Sequence, residues 1–128
     1  MKPRTIVVLS FVLDVVLVVA FAATGRASHD EAVLPGLLVT AWPFLVGLVA
    51  GWVVTLAWRA PTRALRTGLG VWAITVAGGM LLRAVSGQGV VVAFVIVASV
   101  VLLIALVGWR AIAALVRRVR GRRVPAGR

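Results

Sequence analysis

Four apolar runs, residues 6–23, 36–58, 67–82 and 90–109, occupy most of this 128-residue chain. Helices of 18, 23 and 20 residues over the first, second and fourth runs can cross a hydrocarbon core of roughly 30 Å unaided. The third run, at 16 residues, reaches across when residues 64–66 extend its helix or the bilayer thins slightly. The polar connections between the runs are short. The expected fold is therefore all-α, a compact bundle of four transmembrane helices. It forms a single membrane domain over 1–128, with a basic tail at 110–128.

Composition excludes the soluble alternatives. Hydrophobic residues make up 62% of the chain, and 13 glycines bring the apolar share to about 72%, against roughly 45–50% for ordinary soluble domains. A soluble domain of this size has no interior large enough to hide so much apolar surface. Cysteine is absent, which removes disulfides, thiolate metal sites and a cysteine nucleophile. Lys2 is the only lysine, so no membrane-embedded Schiff base forms. His29 is the only histidine, so one protomer cannot supply a bis-histidine haem site. No cofactor, metal site or enzymatic activity is expected.

Charge sets the expected direction. Lys2, Arg4, Arg59, Arg63, Arg66, Arg110, Arg117, Arg118, Arg120, Arg122, Arg123 and Arg128 flank one side of the membrane, and only Arg26 and Arg83 the other. The positive-inside rule places both termini in the cytoplasm, in the cell membrane. The net charge of +11 is then a topology signal and does not point to nucleic acid. Trp58–Arg59 and Trp109–Arg110 read as interfacial anchors, each ring at headgroup level with its cation in the headgroup layer. Their shared Trp-Arg-Ala sequence, with Arg26-Ala27-Ser28 echoed by Arg83-Ala84-Val85-Ser86, leaves a duplicated hairpin or chance as alternatives. The arginines beyond residue 110 read as a tail along anionic headgroups. The first run is longer than the roughly 7–15 apolar residues of a signal peptide and is interrupted by Asp14, so an uncleaved helix is expected.

Asp14 is the most informative residue. A carboxylate at the centre of a membrane helix costs roughly 2.5–3.5 kcal/mol. The 13 Ile, Val, Leu and Phe residues of its run offset that with about −4 to −8 kcal/mol. Insertion survives, but the acid needs a polar partner or water, and burial favours its neutral form. The centres of the other runs fall near Gly47, Thr75 and Ser99. Asp14, Thr75 and Ser99 are thus expected at one level, as a polar layer at the depth where many transporters bind substrate and ions. The plainer reading is interhelical glue. Arg83 lies roughly 12 Å outward of Thr75, too far for direct pairing with Asp14.

Two further groups stand out. Arg26, His29, Asp30 and Arg83, with Ser28 and Glu31, gather on the outer side. They read as a solvated ion-pair cluster closing the bundle, since neighbours in sequence point in different directions and no metal-ligand spacing appears. In the second run, Pro43 lacks an N–H, so it frees the Val39 carbonyl and kinks the helix. With Trp42 and Phe44 it forms a candidate outer gate or a packing adjustment. Gly47 and Gly51 form a small-xxx-small face matched by Thr75 and Gly79, suited to close contact within one chain or between two.

Asp14, Gly25-Arg26, Ser28-His29, Trp42-Pro43-Phe44, Trp72, Gly78-Gly79-Met80, Arg83, Gly87-Gln88-Gly89, Phe94 and Trp109-Arg110 together resemble a family of small bacterial and archaeal membrane proteins. That family is grouped only as a domain of unknown function. The likeness covers nearly everything from Asp14 to Arg110 and implies a four-helix integral membrane protein, without residue roles. Small multidrug exporters share the architecture and a carboxylate in the first helix. Their dual insertion is disfavoured here by the charge bias, and fold analogy assigns no function. The leading expectation is a small proton-linked transporter or ion pathway, as a homodimer, with Asp14 as its protonatable group. The alternative is a non-catalytic accessory or scaffold subunit of a larger membrane complex.

Overall fold

The computed structural model describes residues 2–29 and 31–123. Four helices make the bundle: α1 (Pro3–Ser28), α2 (Val33–Val54), α3 (Leu69–Val85) and α4 (Val92–Arg123). A π turn at Ala64–Gly68 runs directly into α3, giving a 22-residue segment, and all four segments are long and apolar enough to cross a membrane. The short third run thus gains its length from residues 64–66, as its composition requires. No strand occurs among the described residues.

Pro3 sits in the first turn of α1, where a missing N–H costs nothing because that donor has no intrahelical partner. Beyond α2, Leu56 adopts a left-handed conformation (φ 52°) and leads into a 3₁₀ turn at Ala57–Arg59. The α3–α4 turn uses Gly87 (φ 80°) and Gly89 (φ 84°), a region that side chains with a Cβ rarely enter. α4 is the longest helix at 32 residues, about 48 Å. It continues through the arginine-rich stretch instead of stopping at residue 109, so much of the expected tail is helix. Residues 124–128 lie outside the described residues.

Consecutive helices pack side by side and α4 returns to α1, closing a ring in chain order. The start of α1, the end of α4 and the α2–α3 connection share one end of the bundle, here the terminal end. The α1–α2 and α3–α4 turns share the other, the loop end. Polarity is inverted relative to a soluble bundle. Ser10, Asp14, Thr67, Thr75 and Arg110 are buried, whereas Val8, Val12 and Val16 of α1 and Ile96, Val100 and Ile104 of α4 stand exposed. Such an exterior suits lipid, because hydrocarbon solvates valine and isoleucine as well as a protein core does.

The tightest seam joins α2 to α3. A Cβ on Gly47 would lie 2.8 Å from the Thr75 carbonyl oxygen, and one on Gly51 3.2 Å from Val71 Cα. A Cβ on Gly79 would enter the Phe44 ring. The small-residue faces therefore serve contact within the chain. Pro43 is buried in α2, and the Val39 carbonyl that it frees accepts a hydrogen bond from Gln88 Nε2 at 3.1 Å. The α3–α4 turn thereby satisfies the gap that the proline opens in α2.

Gly47→Val should lower the unfolding midpoint in detergent by the equivalent of about 1–3 kcal/mol, the usual cost of overpacking a tight interior. Gly108→Ala, where an added Cβ meets nothing within 4 Å, should leave the midpoint unchanged or raise it.

Candidate functional site

Asp14 projects from the middle of α1 into the ring of helices and is fully buried. Four donors converge on its two oxygens. Trp52 Nε1 of α2 donates to Oδ2 at 2.8 Å and Trp109 Nε1 of α4 donates to Oδ1 at 2.8 Å. Arg110 of α4 takes both oxygens in a fork, Nη1 to Oδ1 at 3.0 Å and Nη2 to Oδ2 at 2.7 Å. All four partners are N–H donors, so both oxygens serve as acceptors, and the fork is the bidentate form of an Arg–carboxylate pair.

Arg110 is itself fully buried. Its Nε donates to the Pro61 carbonyl at 2.8 Å and its Nη1 also donates to the Leu106 carbonyl at 2.8 Å. Its guanidinium lies 4.6 Å from the Trp109 ring centroid. Side chains on a helix lean toward its N-terminus, which explains how a residue just past the middle of α4 reaches back one turn, to Leu106, and meets an acid in the middle of α1. Phe11 closes the Trp52 side with an edge-to-face contact at 5.1 Å.

These contacts correct one expectation. Trp109–Arg110 is not a headgroup anchor, because its arginine is sealed inside the bundle. Trp58–Arg59 is exposed, with Trp58 at 45%, as an interfacial pair requires, so the two Trp-Arg-Ala copies do different work. The signals for Arg110 were the apolar residues 111–116 that follow it, which keep it inside a continuing helix, and the need of Asp14 for a cation. Trp52 carried a signal too, since a buried indole N–H needs an acceptor.

All four hydrogen bonds to Asp14 come from Trp52, Trp109 and Arg110, and none from the other two members of the expected polar layer. Thr75 is fully buried in the α2–α3 seam, and its Oγ1 has no hydrogen-bond partner among the described residues. Ser99 is half-buried, and its carbonyl accepts from Trp72 Nε1 at 2.8 Å. The physical reason lies in α4. Because it extends to Arg123, the acid meets it at residues 109–110, ten residues or about 15 Å beyond Ser99.

At the loop end, Arg26 is held by Glu31 at 3.1 Å, the Ala32 carbonyl at 2.8 Å and Thr40 Oγ1 at 3.0 Å. Arg83 donates to the Gly89 carbonyl and to Gln88 Oε1, both at 3.2 Å, and sits 4.4 Å over the Phe94 ring. Both arginines line a cavity of about 410 Å³, with His29, Glu31 and Thr40. Asp30 lies outside the described residues. Beneath the cavity, Phe21, Phe44 and Phe94 form an aromatic layer with centroids 5.4–6.2 Å apart. Of the expected gate, Phe44 belongs to that layer and is fully buried, Pro43 is buried behind it, and Trp42 is only half-buried. Among the described residues no group of three His, Cys, Asp or Glu side chains is placed to hold a metal.

A family profile described as protein of unknown function (DUF3054) matches residues 11–113. The chain belongs to this family. The matched span starts just before Asp14 and ends just after Arg110, so it contains every residue of the buried cluster. No curated protein and no solved structure matches the chain.

Trp52→Phe should lower stability by about 1.5–3 kcal/mol, the range for a hydrogen bond to a charged group, in detergent unfolding followed by circular dichroism. Trp58→Phe, at an exposed ring, should stay within about 0.5 kcal/mol of the native protein.

Proposed function

We propose that this DUF3054 protein is a small proton-linked transporter in the cell membrane, with both termini cytoplasmic. The loop-end cavity is its outer vestibule and the Asp14–Arg110 pair is the latch that closes its inner half. The observation that carries the reading is the way Arg110 is held. Protonation of Asp14 removes the ionic partner of the guanidinium, yet Arg110 keeps the Pro61 and Leu106 carbonyls as acceptors. The cation therefore keeps two hydrogen-bond acceptors when the latch loses its charge.

Two further features support the reading. Replacing a buried ion pair by apolar residues is often neutral or stabilising, so a small bundle has no need of one for stability alone, and ionisable groups at membrane depth are functional by default. The polar elements are also stacked in order. From the loop end inward come the cavity, the aromatic layer, the fully buried Val18, Leu48 and Leu102, and then the Asp14 cluster. In this reading the cavity is a blind vestibule and the Asp14 cluster a closed inner gate beneath it. In the accessory-subunit reading Asp14 would face a partner helix, whereas here it faces inward with its oxygens occupied. The cations of the α4 extension would sit among anionic headgroups on the cytoplasmic side.

The test is dissipation of an imposed pH gradient in liposomes. Native protein should discharge the gradient faster than protein-free vesicles, and Asp14→Asn, shown to be folded by its circular dichroism, should return the rate to that background. Equal rates for native and variant protein would count against Asp14 as the proton-carrying group.

A further inference from the structure

The loop-end cavity does not end at its polar walls. A second groove of about 300 Å³ shares Phe21, Gly25, Ser28 and Val97 with it. The groove then continues between α1 and α4, past Leu17 on one side and Val101 and Ala105 on the other. From Ser28 to Leu17 it follows α1 for about 16 Å. Apart from Thr24 and Ser28, its lining side chains are hydrocarbon, and Val97 and Val101 in its wall are exposed on the bundle's surface. Polar head space and apolar tail space are thus continuous, and small residues (Ala20, Gly25 and Ala105) keep the passage wide.

The charge at the polar end identifies the head. Arg26 has a carboxylate partner in Glu31. Arg83 makes no salt bridge among the described residues, and the Glu31 carboxylate in the same cavity acts on it only at longer range. The hydrogen bonds of Arg83 go to neutral oxygens through Nε and Nη1, and Nη2 has no acceptor among the described residues. Phe94 backs its guanidinium plane, which fixes that plane without neutralising it. A planar, pre-oriented guanidinium suits phosphate oxygens, and Thr40, whose hydroxyl accepts from Arg26, lines the same cavity.

We infer that the α1–α4 cleft binds one anionic phospholipid, its phosphate against Arg83 and one acyl chain in the groove below. The site goes beyond the transport reading and does not depend on it, because binding requires no opening of the Asp14 latch. The lipid enters from the side, so the hydrocarbon of the chain never leaves an apolar surrounding, and only the headgroup exchanges water for the arginine wall.

Binding is read by native mass spectrometry and by the unfolding midpoint of detergent-solubilised full-length protein. The probes are phosphatidylglycerol, phosphatidylcholine and inorganic phosphate. A ligand held only by the folded state raises the midpoint as its concentration rises. Phosphatidylglycerol should give one retained lipid per chain and a saturable rise, with phosphatidylcholine at least tenfold weaker and inorganic phosphate without effect at matched concentration. Arg83→Gln should weaken phosphatidylglycerol at least tenfold and Arg83→Lys by less than that. Ala20→Phe, which fills the groove, should also weaken it. Arg118→Gln, an exposed cation on the α4 extension, should leave it unchanged. The inference is overturned by equal binding of the two lipids, by inorganic phosphate reproducing the shift, or by Arg118→Gln costing as much as Arg83→Gln. Should Arg83→Gln fail to fold, native-like binding by Ala20→Phe overturns it equally.

Discussion

One buried ion pair organises the terminal half of this bundle. Asp14 on α1 and Arg110 on α4 sit on helices that meet only when the ring closes, and the pair draws in α2 through Trp52 and the α2–α3 connection through Pro61. A carboxylate alone in this interior, or a guanidinium alone, carries a desolvation cost of several kcal/mol. Arg110 keeps the Pro61 and Leu106 carbonyls whatever its partner, but only Asp14 offers it a carboxylate, so the pair fixes which face of α1 turns inward and how far α4 slides along it. Few other contacts could set that slide, because the exposed faces of both helices are interchangeable hydrocarbon. Specificity of register, more than net stability, is what such a pair contributes.

The two ends of the molecule divide accordingly. At the terminal half, both oxygens of Asp14 and every nitrogen of the Arg110 guanidinium are hydrogen-bonded, and Trp52, Trp109 and Phe11 surround them. Toward the loop end the four helices enclose a cavity with Arg26 and Arg83 in its wall, and a groove between α1 and α4 adjoins it. The α2–α3 seam, closed by glycines, is the rigid spine against which the other two helices are set.

Much of this was legible in the sequence, for identifiable reasons. Run lengths and their apolar content gave four membrane-length helices because a spanning helix has a minimum length. Gly47, Gly51, Thr75 and Gly79 marked the close seam because small residues alone permit it. Pro43 foretold an unpaired Val39 carbonyl, though not that Gln88, 49 positions away, would fill it. The partner of Asp14 was harder. Levelling the helices by their midpoints assumed that α4 stops at residue 109, and it runs to Arg123, which moves the meeting point from Ser99 to Trp109 and Arg110. Hydropathy scores an arginine at a helix end as a headgroup anchor whether it faces lipid or an acid. Which way it faces is a property of rotation about the helix axis, set by the acid on another helix.

A double-mutant cycle over Asp14→Leu and Arg110→Met, read as unfolding free energy in detergent, measures the central interaction most directly. Each single substitution leaves one buried charge without its partner and should cost about 3–5 kcal/mol. The double variant removes both charges and should cost far less than the two singles together, a coupling of about 3 kcal/mol or more, at the upper end for residues in direct contact. Additive losses, with the double variant as destabilised as the sum of its parts, would contradict the claim that this pair holds the bundle in register.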